Sequence, residues 1–225
     1  MRSRKMLYKL AILGDGGVGK TALMTQVTLH HFPETYDPTL VDLYSTQVVI
    51  DNRECILEII DAADQGENPT LGDYLIREGD GFVLVYSISS RASFNQIKAF
   101  YHQIQRVKSA HPKPIHSNSI HGETHNVAEA PTILIGNKAD LVTEREISTQ
   151  EGQALADTLG LEFMETSAKS AYNVKKAFFD VVRLLRHQEQ QVTTQQPVTQ
   201  PLPKGSTYRT RWFGIIRRYL FRKKN

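Results

Sequence analysis

The apolar positions of the chain alternate between compact runs and helical stripes. Leu7 to Leu13 is a compact run; a glycine-rich stretch follows it, and then Ala22 to Leu29, spaced for a helix. Two strand-like runs come next, Leu43 to Ile50 and Cys55 to Ile60, and Asp51-Asn52 between them is a hairpin-turn pair. Gly81 to Ile88 reads as a buried strand. Ser93 to Lys108 reads as a helix, with Phe94, Ile97, Phe100, Tyr101, Ile104 and Val107 on one side. Thr132 to Ile135 and Leu161 to Glu165 read as strands, Ile147 to Leu159 and Tyr172 to Arg186 as helices. Strands alternating with helices predict an α/β domain. Its six-stranded sheet is mainly parallel, with helices on both faces and one antiparallel edge strand from the hairpin.

The intervals between these runs are polar. His30 to Thr39 holds Pro33 and Pro38, and residues 62–72 are small or polar, read as a mobile loop. His111 to Ala130 carries four histidines, and His187 to Pro203 is rich in Gln, Thr and Pro with little to bury, so disorder is expected there. The organisation is then a main domain over 1–188 with a polar insertion at about 111–130, a linker over 189–208 and a tail over 209–225. There are no internal repeats.

Composition sharpens this division. Of 225 residues 40% are hydrophobic and 23% charged, which suits one sizeable domain with an appendage. The single cysteine, Cys55, excludes a disulfide framework and points to a reducing compartment. No apolar run approaches the ~20 residues of a membrane span, and the basic N-terminus leads into no signal-peptide core. Net charge is +3 but uneven. Residues 204–225 hold eight Lys/Arg and no acid, leaving 19 basic against 24 acidic residues, net −5, in residues 1–203. The basic balance belongs to the tail.

The chemistry starts at Gly14-Asp15-Gly16-Gly17-Val18-Gly19-Lys20-Thr21, which is G-x-x-x-x-G-K-[ST] between a strand and a helix. Backbone N–H groups wrap a polyphosphate there, and glycines let the backbone come close. The helix N-terminus, which continues into Ala22, adds partial positive charge. Lys20 reaches the β- and γ-phosphates, and the Thr21 hydroxyl holds Mg²⁺. Two further signals sit at the carboxyl ends of strands, where open α/β sheets bind ligands: Asn137-Lys138-Ala139-Asp140 and Ser167-Ala168-Lys169. They favour guanine. A carboxylate such as Asp140 accepts from N1–H and the exocyclic amine of guanine, whereas adenine would leave it unpaired. Asn137 can bond N7, the Lys138 stem can lie over the ring, and the Ala168 N–H can donate to O6.

From about Tyr8 to Gln188 the chain resembles a small GTPase of the Ras family, with the P-loop NTPase fold of a Ras-like G domain. Tyr36-Asp37-Pro38-Thr39 resembles the Ras effector loop, and Asn137-Lys138-x-Asp140 and Ser167-Ala168-Lys169 are the family's base-binding motifs. The resemblance implies a switch cycling between GTP and GDP with Mg²⁺. It implies that Thr39 senses the γ-phosphate and ligates Mg²⁺, that Asp61 holds Mg²⁺ through water, and that the Phe32 ring packs against guanine. Gln65 falls where the family keeps the glutamine that orients the attacking water. Effector, exchange-factor and GTPase-activating proteins are the implied partners of a monomer.

The chain departs from the family pattern in four places. Its loop after the third strand reads Asp61-Ala62-Ala63-Asp64-Gln65-Gly66 in place of D-T-A-G-Q-E, so Asp64 replaces the glycine that contacts the γ-phosphate. Val41 stands where Ras proteins usually carry glutamate, and His111 to Ala130 is longer than usual. No Cys-a-a-X box is present, so attachment by prenylation is not expected. The Asp64 departure keeps a second reading open, a guanine-nucleotide-binding interaction protein with a degenerate switch. A P-loop kinase or ATPase is opposed by Asp140.

The tail offers another route to a membrane. On a helical wheel Trp212, Ile215, Ile216, Tyr219 and Leu220 share a face, opposite Arg211, Arg217, Arg218 and Arg222. That is a basic amphipathic helix suited to an anionic membrane surface, which would place the protein at the cytoplasmic face of a membrane, the plasma membrane first. A helix docked on the domain and a disordered basic tail are the other readings, and no nucleic acid is expected. The histidines His111, His116, His121 and His125 match no usual zinc spacing.

Overall fold

The computed structural model describes residues 6–32, 43–61, 69–111 and 130–194. The strands are β1 (Met6–Leu13), β2 (Leu43–Ile50), β3 (Arg53–Asp61), β4 (Gly81–Ser87), β5 (Thr132–Asn137) and β6 (Glu162–Glu165). The helices are α1 (Lys20–Leu29), α2 (Pro69–Glu78), α3 (Arg91–Ala110), α4 (Thr149–Leu159) and α5 (Val174–Thr194). The sheet order is β2-β3-β1-β4-β5-β6, all parallel except the antiparallel β2–β3 hairpin. Asp51 and Asn52 make the hairpin turn with φ of 50° and 59°, the left-handed pair that matches strand twist.

Period-two alternation along the strands sends side chains to two cores. Leu10 and Ile12 of β1, with Val83 and Val85 of β4, meet Leu23 and Met24 of α1 and Phe178 and Val181 of α5. Ala11 and Leu13, with Phe82, Leu84 and Tyr86, meet Ile76 of α2, Ile97 and Ile104 of α3 and Ala156 of α4. Residues buried on both faces explain why β4 and β5 read as continuous apolar runs, buried at every position. Caps fix the helix starts. Ser90 accepts from the Ser93 N–H before α3, and Ser148 and Glu151 form a capping box before α4.

Two expectations need correction. Residues 69–72, read as loop, open α2, with Pro69 at the first helical position, where a missing N–H costs nothing. Tertiary contact stabilises that short helix: Asp73 accepts from Gln103 and Arg106 of α3, and Lys108 donates to the Gly79 carbonyl just past its end. The last helix also continues past Arg186 to Thr194, through residues read as linker. Arg186 itself is buried and donates to the Ile50 carbonyl at 2.8 Å, which anchors the helix at the end of its apolar stripe.

Candidate functional site

The site lies along the carboxyl edge of the sheet, beside β1, where the strand order reverses direction. The glycine loop leaves β1 there. A Cβ built on Gly14 would stand 2.2 Å from the Val85 carbonyl oxygen, so only glycine lets the loop pass this close to β4. Gly19, at φ 96°, precedes α1, and a Cβ there would stand 2.5 Å from Asn137 Nδ2. The Asp15 carboxylate accepts from the Gly16 N–H at 2.8 Å, Gly17 takes φ 69°, and Val18 is buried under the loop. Lys20 is buried, and its Nζ donates to the carbonyls of Gly14 and Asp15 at 2.9 Å each. The ammonium thus sits inside the ring of the loop, where phosphate oxygens would compete with those carbonyls as acceptors.

Asp61, the last residue of β3, is 1% exposed, and its Oδ2 accepts from the Thr21 hydroxyl at 2.5 Å. Two residues forty positions apart are brought together at the start of α1. A hydroxyl and a carboxylate are hard oxygen donors of the kind that Mg²⁺ takes while keeping several waters, so this pair fits that ion. Ala22, in the first turn of α1, and Phe32, after its end, pack against the core on the α1 side.

The base end is a side-chain network. Asn137 ends β5 and is 1% exposed. Its Nδ2 donates to the Val18 carbonyl at 2.9 Å, and its Oδ1 accepts from the Thr166 hydroxyl at 3.1 Å and the Ala168 N–H at 3.3 Å. One amide therefore ties the glycine loop to the loop after β6. Lys138 follows in the left-handed region, φ 64°, and Asp140 is exposed, its Oδ1 accepting from Ser167 Oγ at 2.6 Å. The Ser167 Oγ also accepts from the Ser170 N–H, and Lys169 is exposed beside it. The second Asn137 Nδ2 hydrogen and the outer Asp140 oxygen are the groups this network leaves for a base.

Gln65 and Thr39 lie outside the described residues, as do Val41, Asp64, His116, His121, His125 and the tail. Thr166 was not singled out from the sequence. Its hydroxyl is fully buried and orients Asn137, and its place directly before Ser-Ala-Lys was the available signal.

A glycine loop and two base loops at the switch point of a mainly parallel sheet define a P-loop nucleotide-binding protein. The Ras family model matches residues 9–187. "Ras-like protein 1" of Pyricularia oryzae is 59% identical over 194 residues, 86% of this chain and 80% of that one. "Protein ras-2" of Neurospora crassa is 58% identical over 191 residues, 84% of this chain and 83% of that one. "Ras-like protein B" of Aspergillus fumigatus is 56% identical over 191 residues, 82% of this chain and 80% of that one. The chain belongs to the Ras family: it is a small GTPase, a switch that binds GTP and GDP and hydrolyses GTP.

Proposed function

We propose that this GTPase holds its nucleotide with Mg²⁺ and works as a monomer at the cytoplasmic face of a membrane, the plasma membrane first. The observation that carries the nucleotide reading is the Asn137 amide, bonded at once to Val18 in the glycine loop and to Thr166 and Ala168 beside Asp140. Backbone N–H groups of residues 14–21 take the phosphates, with Lys20 at their centre. Thr21 and, through water, Asp61 would hold Mg²⁺, which when bound neutralises phosphate charge; Thr39 would join them in the GTP state. Asn137 and Asp140 read guanine, the Ala168 N–H, which donates to Asn137 Oδ1 at 3.3 Å here, would turn to O6 or be shared with it, and the Lys138 stem, the Phe32 ring and Lys169 complete the base site.

In hydrolysis, water oriented by Gln65 attacks the γ-phosphate in line, the bond to the β-phosphate breaks, and GDP and phosphate leave. Lys20 stabilises the developing charge. Asp64 weakens GTP relative to GDP by bringing a carboxylate toward the γ-phosphate, or else holds the loop open with Gln65 out of position, which slows hydrolysis. At about 4 Å such a pair repels by roughly 1 kcal/mol in water and roughly 4 kcal/mol at an effective dielectric near 20. A fast rate would draw on a GTPase-activating partner. Exchange-factor and effector proteins complete the cycle. Attachment uses residues 209–225, whose cationic side chains are each worth about 1 kcal/mol near an anionic surface.

Single-turnover hydrolysis of GTP by the full chain tests this reading. Turnover is expected to be slow, to need Mg²⁺, and to rise with Asp64→Gly. Turnover that is equal in excess chelator, or untouched by Asp64→Gly, would count against the metal and the Asp64 arguments respectively. Flotation with phosphatidylserine vesicles tests the tail, since a chain ending at Arg186 should bind them less.

A further inference from the structure

A recess lies between the end of α1 and the start of α5, next to the loop after β6. It has a volume of about 470 Å³ and is lined by Gln26 and His30 on one side and by Ala171, Asn173, Lys175 and Lys176 on the other. None of these residues belongs to the glycine loop or to the motifs at 137–140 and 167–169, although Ala171 and Asn173 close the same loop after β6. We propose that this corner docks an acidic segment of a partner protein, a segment that also carries apolar side chains.

Charge is the first argument. Residues 1–203 are net −5, yet among the described residues this recess is lined by two lysines and a histidine and by no carboxylate. The lysines also stand against the local rule. The first turn of α5 has no acidic residue, though the positive end of a helix favours carboxylates and disfavours cations. A local choice that works against the helix is where a binding role is to be sought. Lys176 keeps a partner of its own, Asp180 Oδ2 at 2.6 Å, but its side chain is 61% exposed, so its ammonium remains open to a ligand.

Apolar exposure is the second argument. Leu29, next to His30, is 60% exposed, and Tyr172, between Ala171 and Asn173, is 56% exposed. A basic recess flanked by an aliphatic and an aromatic side chain has the make-up of a protein interface, with an aromatic anchor and a polar rim.

The test uses the full chain loaded with GDP and two fluorescein-labelled peptides, one alternating glutamate with phenylalanine, the other lysine with phenylalanine. The acidic peptide is expected to bind and to weaken with added salt, and amide resonance changes should centre on Gln26, His30 and Asn173. Lys175→Glu combined with Lys176→Gln, which keeps a neutral residue beside Asp180, should weaken it by about tenfold or more, with GDP affinity unchanged. A second variant, Tyr172→Ser, should weaken it without altering the salt dependence. Equal binding of the lysine peptide, or no loss in the double variant, overturns the proposal. So does displacement of the acidic peptide by inorganic phosphate beyond that by chloride at the same ionic strength, because the corner then reads an anion alone.

Discussion

At the phosphate end of the site the path of the chain does the holding. Gly14 passes within a side chain's width of Val85, Gly19 turns in the left-handed region, and Lys20 bonds the carbonyls of its own loop. At the base end side chains do it. Asn137, Thr166, Ser167 and Asp140 bond one another across segments 27 and 29 residues apart. Backbone shape leaves little room for substitution and recognises a group, phosphate, that every nucleotide carries. A network of side chains can be changed one bond at a time, and it is the part that can tell one base from another. The two ends meet at the Asn137 amide, against Val18 and Gly19.

The largest expected effect is at the phosphate end. Gly14→Ala puts a methyl 2.2 Å from a backbone oxygen that cannot swing aside. Overpacking of this kind costs about 1–3 kcal/mol, and here the displaced loop is also the ligand cradle. Both the melting temperature and the affinity for GDP and GTP should fall, by similar factors for the two nucleotides. Loss confined to GTP would break the comparison, since it would make the loop selective.

Asn137→Ala comes next. It removes three bonds at once and leaves the buried Val18 carbonyl and the Thr166 hydroxyl without this partner. At about 1 kcal/mol per neutral bond, GDP affinity should fall by about a hundredfold, read as a faster dissociation rate. Thr166→Val removes one of the three and should raise GDP dissociation by about fivefold, near 1 kcal/mol. It should leave the phosphate-loop amide resonances in place. Were Thr166→Val as costly as Asn137→Ala, the network would behave as a unit and not as separable bonds.

Acid gives the smallest effect, and it too should separate the ends. Hydrogen bonds from Arg91 and then from Ser148 hold the Glu151 carboxyl down to about 2, against its ordinary 4.5. Burial pushes Glu165 up, but hydrogen bonds from Arg145 and Thr149 outweigh it and its value ends lowered. A lowered carboxyl adds stability above its unfolded value and loses it as pH falls through the folded one. For Glu151 that window runs from about 4.5 to about 2. Both groups brace α4 and β6, which flank the base loops. Amide resonances of residues 138–140 and 166–169 should therefore shift in this window before those of residues 14–21.

The same contrast decides what the sequence disclosed. The phosphate end was legible because its constraints are local: glycines, lysine and threonine within eight residues, between a strand and a helix. The strands β4 and β5 were legible for a similar reason, as unbroken apolar runs. The role of Asn137 as a brace was not, because its partners stand 119, 29 and 31 residues away and share no pattern with it. Helix α2 escaped because a proline and a glycine interrupt its apolar stretch, and part of what holds it, Gln103, Arg106 and Lys108, belongs to α3. The end of α5 escaped because Gln and Glu read as linker by composition, although neither disfavours helix.

Competition against a fluorescent GDP analogue on the full chain, with Mg²⁺ present, bears most directly on the claim that a side-chain network at the base end reads guanine. GDP should displace the analogue at a concentration at least about 10⁴-fold lower than ADP, as expected of a site built to hydrogen-bond one base, which leaves its groups unpaired against the other. In Asp140→Asn the gap should narrow, because an amide does not present two acceptor lone-pair sets to two donors. ADP and GDP competing at similar concentrations on the native chain would contradict the account.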